Sequence, residues 1–235
     1  MTLTILNREN APGHFASAFR RGRPGPEKKL VDSFLENIPF CAPRGCHTTV
    51  FCEPRIESGF PDLVIVFWSP AVAKKWTPKR LDLTREDIRL LHFLHQVGPV
   101  SSQNLRLRLS RPIAANLARL EAADLIYETH EVWQPRPLKR SFAAKRIIAI
   151  EAKISEWARV LQQAFQNTWF ASDSFVLWPE PRSAEQIRSA ANRFGVQLCS
   201  PGERVPCRLG SSSSALPRSY VSWLFNEWAW RSTRF

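Results

Sequence analysis

Two stretches far apart in the chain decide how it is read: Gly59-Phe60-Pro61-Asp62-Leu63-Val64-Ile65-Val66-Phe67 and Ile147-Ile148-Ala149-Ile150-Glu151-Ala152-Lys153. Both are runs of β-branched and aromatic residues, the composition of buried strands. Each carries charge at one end. Asp62 stands at the mouth of the first run, and Glu151 and Lys153 stand at the exit of the second. Side chains two apart in a strand point to the same face, so Glu151 and Lys153 should project together with Ala152 opposite. Charged groups at the ends of buried strands are costly unless they bind something. A divalent cation and a phosphate would satisfy this set. Asp62 and Glu151 offer hard oxygen ligands to Mg2+ or Mn2+, and Lys153 offers positive charge where a phosphorus centre gains negative charge. In the plain alternative, Asp62 caps a turn and Glu151 and Lys153 form a solvated pair on an edge strand. The second run is too apolar for a comfortable edge.

Pro61-Asp62 followed by Glu151-Ala152-Lys153, each beside its apolar run, resembles the PD-(D/E)xK nuclease superfamily, the restriction-endonuclease-like fold. The resemblance covers residues 27–68 and 145–200. It implies an α/β protein with an αβββαβ core, and Mg2+- or Mn2+-dependent phosphodiester cleavage in DNA. Asp62 and Glu151 would be metal ligands, and Asp62, Glu151 and Lys153 catalytic. Members of the superfamily often follow this motif with a helix bearing a Gln directed at the site. Gln163 is the expected counterpart and Gln162 the alternative, unless both are polar surface residues. Residues 155–170 show a helical face of Trp157, Leu161, Ala164, Phe165 and Thr168. Glu53 precedes Asp62 across a turn at Ser58-Gly59, and is read either as an extra metal ligand or as a surface strand residue. The opening helix of such a core sometimes lends a carboxylate. Glu27 and Glu36 are candidates, left outside the expected site because most such residues are solvated.

The composition supports a polyanionic partner. The chain has 235 residues, long enough for a sizeable core, and a formal net charge of +12. Its five cysteines, Cys41, Cys46, Cys52, Cys199 and Cys207, form no CxxC pair, and Cys41, Cys46 and His47 fit no standard zinc spacing. An odd count without a signal-peptide pattern reads as a reduced, cytoplasmic protein. No apolar run approaches the roughly 20 residues that cross a bilayer.

The rest of the chain divides around the two strands. Residues 1–26 read as a flexible basic arm with Arg20, Arg21 and Arg23, either lying along a phosphate backbone or a plain polar tail. Leu30, Val31, Phe34, Leu35 and Ile38 mark a helix over 27–38, and residues 48–56 a strand. Residues 27–68 plus 141–200 form the expected discontinuous core. Ser69 to Arg80, with Pro70 and Pro78, reads as a linker into a second module at 80–140. That module opens on a capping box, Thr84 with Asp87, and continues as three short helices and a β-ribbon. The pattern resembles a winged helix-turn-helix domain inserted into the core. On this resemblance Arg111, Asn116 and Arg119 lie on the outer side of a recognition helix. Arg106, Arg108, Arg136, Lys139 and Arg140 would contact phosphates. A helical protein-binding insertion with ordinary surface charges is the competing reading. Residues 201–235 read as a Ser-rich linker and a Trp-rich helix over 220–230. That helix is too aromatic to stay solvated, so it docks on the chain's own core, on a second copy as a homodimer contact, or on unpaired bases. Two functions compete with an endonuclease: a catalytically inactive nuclease-like DNA-binding regulator, and a scaffold subunit.

Overall fold

In the computed structural model, residues 2–11, 18–22, 24–36, 38, 42–109, 112–179, 185–202 and 216–234 are described. The readings made on Arg23, Cys41, Arg111, Cys207 and the Ser-rich stretch 211–214 lie outside them. The two apolar runs become neighbouring central strands, β3 (Leu63–Trp68) and β7 (Ala144–Ala152). With β1 (Leu3–Leu6), β2 (His47–Cys52), β8 (Asp173–Leu177) and β9 (Val196–Cys199) they make a mixed six-stranded sheet of order β1-β2-β3-β7-β8-β9. The β2–β3 and β3–β7 pairs are antiparallel; β1–β2, β7–β8 and β8–β9 are parallel. Every residue of β3 is buried. A strand covered on both faces has no solvent side, which is why the sequence is apolar throughout rather than alternating.

The faces separate by parity. Leu63, Ile65, Phe67, Ile148 and Ile150 pack with Leu30 and Phe34 of α1 (Pro26–Glu36). Pro26 opens that helix where its missing N–H is no loss. Val64, Val66, Trp68, Ile147 and Ala149 face the other way, into the largest buried cluster. Beyond β7, α7 (Trp157–Asn167) packs on β7 and β8, and α8 (Glu185–Arg193) leads into β9.

Between β3 and β7 the chain builds α2 (Pro70–Ala73), a 3-10 turn (Pro78–Asp82), α3 (Arg85–Val97), β4 (Val100–Ser101), α4 (Ser102–Arg108), α5 (Ala114–Ala122), β5 (Ile126–Thr129), β6 (Val132–Pro135) and α6 (Leu138–Ser141). β4, β6 and β5 form a second, three-stranded sheet in that order. The capping box opens α3 as expected, with Asp87 Oδ2 accepting from Thr84 N at 2.7 Å, and Gly98 ends the helix at φ 75°.

Two expectations are corrected, and one is narrowed to a single reading. First, residues 69–80 are not a loose linker. Trp76 donates to the Arg140 carbonyl at 2.9 Å. The Arg80 guanidinium lies 3.4 Å from the Trp76 ring centroid and pairs with Glu227, each side chain only 1% exposed. Second, of the readings of the Trp-rich helix α9 (Tyr220–Arg231), docking on the chain's own core is the one found. Residues 221–230 are all buried within this chain, and the helix packs on both α3 and β3. Burying each of Trp223, Phe225, Trp228 and Trp230 contributes on the order of 3 kcal/mol. Third, part of the N-terminal arm belongs to the sheet: Leu3–Leu6 pairs with β2, and Phe19 is buried beside Phe51 with ring centroids 6.4 Å apart. Among the described residues no helix is long and apolar enough to cross a membrane.

Candidate active site

Strand register brings the two acidic positions together. Leu63 pairs with Ile150, so the next step of the same antiparallel ladder sets Asp62 opposite Glu151. Opposed residues share a face, with Cβ atoms about 4.5–5.5 Å apart. The face is that of Val64 and Ala149. The Ala152 N–H donates to Asp62 Oδ2 at 2.7 Å, tying the two strand ends across 90 residues of chain. Upstream, the Glu53 N–H donates to the Asp62 carbonyl at 2.9 Å, and Gly59, at φ 129°, supplies the backbone turn between them.

Glu151 is 6% exposed and accepts from Asn167 Nδ2 at 2.7 Å. Asn167 is itself buried in the last turn of α7. Burial, then the charge of Asp62, pushes the Glu151 carboxyl up to about 8, against the Asn167 hydrogen bond and the Lys153 charge. Burial also lifts Asp62 to about 6. The Ala152 N–H and Lys153 oppose that rise, and Glu53 and Glu27 add to it.

Lys153 stands just past the end of β7, where strand alternation no longer directs it. Its Nζ reaches α1 and donates to Glu27 Oε1 at 2.7 Å. Gln163 lies one turn of α7 before Asn167, and its Oε1 is buried without a hydrogen-bond partner; Gln162 is exposed. Glu53, the expected extra ligand, lies close enough for its charge to raise Asp62. Its Oε2 accepts from Arg20 Nε at 2.5 Å, and Arg20 also lies 5.0 Å from the Phe60 ring centroid. Among the described residues no three His, Cys, Asp or Glu side chains converge as a metal cage.

The residue set fits a hard divalent cation of the Mg2+ type. Such ions are usually held by one or two carboxylates together with substrate phosphate, not by a full protein cage. Two neighbouring carboxylates, Glu151 buried and Asp62 half-buried, each pushed above its ordinary range, form a site where added positive charge is favoured. One oxygen of each is already hydrogen-bonded, which makes the other oxygen of each the freer one for a cation.

The residues expected to touch DNA divide into two groups. Arg106 and Arg108 on α4 and Lys139 on α6 are exposed. Asn116 and Arg119, expected to face outward, are half-exposed and bond Asp87, Asn116 Nδ2 at 2.7 Å and Arg119 through Nε at 2.8 Å and a second nitrogen at 2.9 Å. Asp87 is fully buried, so its carboxylate needs more donors than its own capping box supplies. Although burial works the other way, Arg119, Thr84 and Asn116 together hold it below the usual range. Arg136 and Arg140 both pair with Asp124, at 2.9 and 2.6 Å.

Glu27, Asn167 and Arg20 are the site neighbours that sequence reasoning did not place there. Glu27 had a signal, an acid directly behind the helix-opening Pro26. Asn167 had one too, lying four residues beyond Gln163 and therefore on its side of the helix. Comparison with protein-family models, with curated proteins and with solved structures finds no match to this chain.

Proposed function

We propose that this protein is a metal-dependent DNA endonuclease of the PD-(D/E)xK type, with residues 85–135 acting as a winged helix-turn-helix grip on the duplex. The observation that carries the proposal is the cross-strand meeting of Asp62 and Glu151 at one end of a buried sheet, with Lys153 alongside. Asp62 and Glu151 hold the cation, Mg2+ or Mn2+. When bound, that ion polarises the scissile phosphate and stabilises the leaving oxygen. The Lys153 ammonium, steadied by Glu27, donates hydrogen bonds to a phosphate oxygen as negative charge grows there. The buried acceptor of Gln163 is available to orient a water beside the carboxylates. The net charge of +12 draws the polyanion in, and Arg106, Arg108 and Lys139 remain exposed for its backbone.

The test is cleavage of single-stranded, duplex and branched DNA with Mg2+, Mn2+ or EDTA. The proposal expects metal-dependent nicking that Asp62→Ala abolishes while circular dichroism shows an intact fold. Equal nicking by the Asp62→Ala protein, or DNA binding with no cleavage under either metal, defeats it; the second result returns the chain to the class of non-cleaving DNA binders.

A further inference from the structure

The two carboxylates of the site are held by different means. Asp62 Oδ2 is fixed by a backbone donor, the Ala152 N–H. Glu151 Oε1 is fixed by a side chain, Asn167 Nδ2, at 2.7 Å. Asn167 is firmly anchored. Its own carbonyl accepts the N–H groups of Phe170 and Ala171 at 3.2 and 3.0 Å. Phe170 is fully buried and stacks on Phe225, ring centroids 5.4 Å apart. A carboxylate takes only donors, so the amide nitrogen of Asn167 is the group that faces Glu151. An amide also orients the carboxylate without neutralising it. A Lys or Arg in this place would cancel the charge that a cation needs.

Resting on the reading of Asp62 and Glu151 as cation ligands, we propose that Asn167 is a positioning and specificity-determining residue. By holding one oxygen of Glu151 it turns the other, unbonded oxygen toward sharing a cation with Asp62. Two one-oxygen contacts suit Mg2+ and Mn2+, which take near-octahedral surroundings and few protein ligands. Ca2+ favours higher coordination and often takes both oxygens of one carboxylate. With Asn167 in place, a cation bound through both oxygens of Glu151 would have to share Oε1 with the amide hydrogen.

The experiment is calorimetric titration of the full-length protein with Mn2+ and with Ca2+, comparing wild type with Asn167→Ala and the near-isosteric Asn167→Leu. Partners that orient metal ligands are typically worth 10–100-fold, so Mn2+ affinity should fall by about that factor. Ca2+ affinity should fall far less, so the Mn2+ to Ca2+ preference drops by about tenfold. A residue that merely supports the fold would weaken both ions alike. In a Glu151→Gln background, adding Asn167→Ala should change Mn2+ affinity by less than about twofold, because the contact has lost its charged partner. Wild-type protein supplies a reading independent of variant folding: the Asn167 side-chain amide resonances should shift on Mg2+ addition. Wild-type Mn2+ binding with an unchanged ion preference in the variants, or with unmoved Asn167 resonances, overturns the role of Asn167 alone. Absence of Mn2+ binding by wild type overturns both this role and the proposed function.

Discussion

Glu151→Gln tests whether the site is maintained at the expense of the fold. Glu151 is 6% exposed beside Asp62, and its carboxyl is pushed from the usual 4.5 to about 8, by burial first and by the Asp62 charge second. The sign follows from proton linkage. A carboxyl whose folded pKa is raised keeps its proton in the fold after the unfolded chain has released one. Its stability is therefore fully present below the unfolded value and drains away as pH rises through the folded one. Near pH ~5 the wild-type acid and the glutamine are both neutral in the fold, and the two proteins should melt close together. By pH ~8.5 the wild type carries a buried charge against another. The full displacement corresponds to roughly 5 kcal/mol, of which sharing with Asp62 and local relaxation leave about 2–4. For a chain of this length that is a gain in Tm of about 5–15 °C for Glu151→Gln at the higher pH. Thermal unfolding followed by circular dichroism in EDTA measures it. On the proposed function, added Mg2+ should raise the wild-type Tm at the higher pH and leave the Gln variant nearly unmoved. If the Gln variant melts below wild type by the same margin at both pH values, Glu151 serves the fold through Asn167, and the reasoning about buried charge is wrong.

Glu227→Ala strands Arg80 in the core without its partner, and denaturant unfolding should show a loss of about 3–5 kcal/mol. Replacing both Arg80 and Glu227 with Leu should cost much less than that single change, because no charge is left unpaired. Asp87→Ala removes the carboxylate that accepts the Thr84 N–H in the capping box and is the acceptor of both Asn116 and Arg119; a loss of about 2–4 kcal/mol is expected by the same method. On the proposed function, Arg106→Ala and Arg108→Ala should each lower the slope of log affinity against log salt for duplex DNA by about one. Arg136→Ala and Arg140→Ala, whose charges are already paired with Asp124, should change that slope less.

The two strands were legible because a strand buried on both faces leaves an unbroken apolar run in which an acid stands out. That Asp62 and Glu151 meet was expected from their chemistry and the resemblance, but nothing in either run specifies which residues of β3 and β7 pair; the register supplies that. On α7 the apolar pattern pointed to the wrong face. Trp157, Leu161, Ala164, Phe165 and Thr168 looked like the inner line, but Trp157 and Phe165 are 46% and 48% exposed. The buried line is Val160, Leu161, Ala164 and Asn167. Two exposed aromatics rotated the reading and hid the asparagine that grips Glu151. Asp87 shows a related limit. Its capping box with Thr84 was readable because that contact is local. The pull on Asn116 and Arg119, about 30 residues away, follows only from the complete burial of its carboxylate.

The segment between β3 and β7 looked like a module threaded into another through a linker, which would leave the two free to turn. The packing is otherwise. Ile88, Leu91 and Leu94 of α3 and Leu117 and Leu120 of α5 share one buried cluster with Val64 and Val66 of β3. The link is α9, from the far end of the chain, whose aromatic residues fill the space against both α3 and β3. Arg80, Glu227 and Arg231 close the same seam, with Arg231 donating to the carbonyls of Arg80 and Leu83 at 2.7 and 3.0 Å. A separate module needs an exposed boundary crossed by few contacts, and here the boundary is the core. The Trp-rich helix is therefore best understood as what fixes α4 and α5 relative to the carboxylates. On the proposed function, it is also what converts a grip on DNA into a defined distance to the bond that is cut.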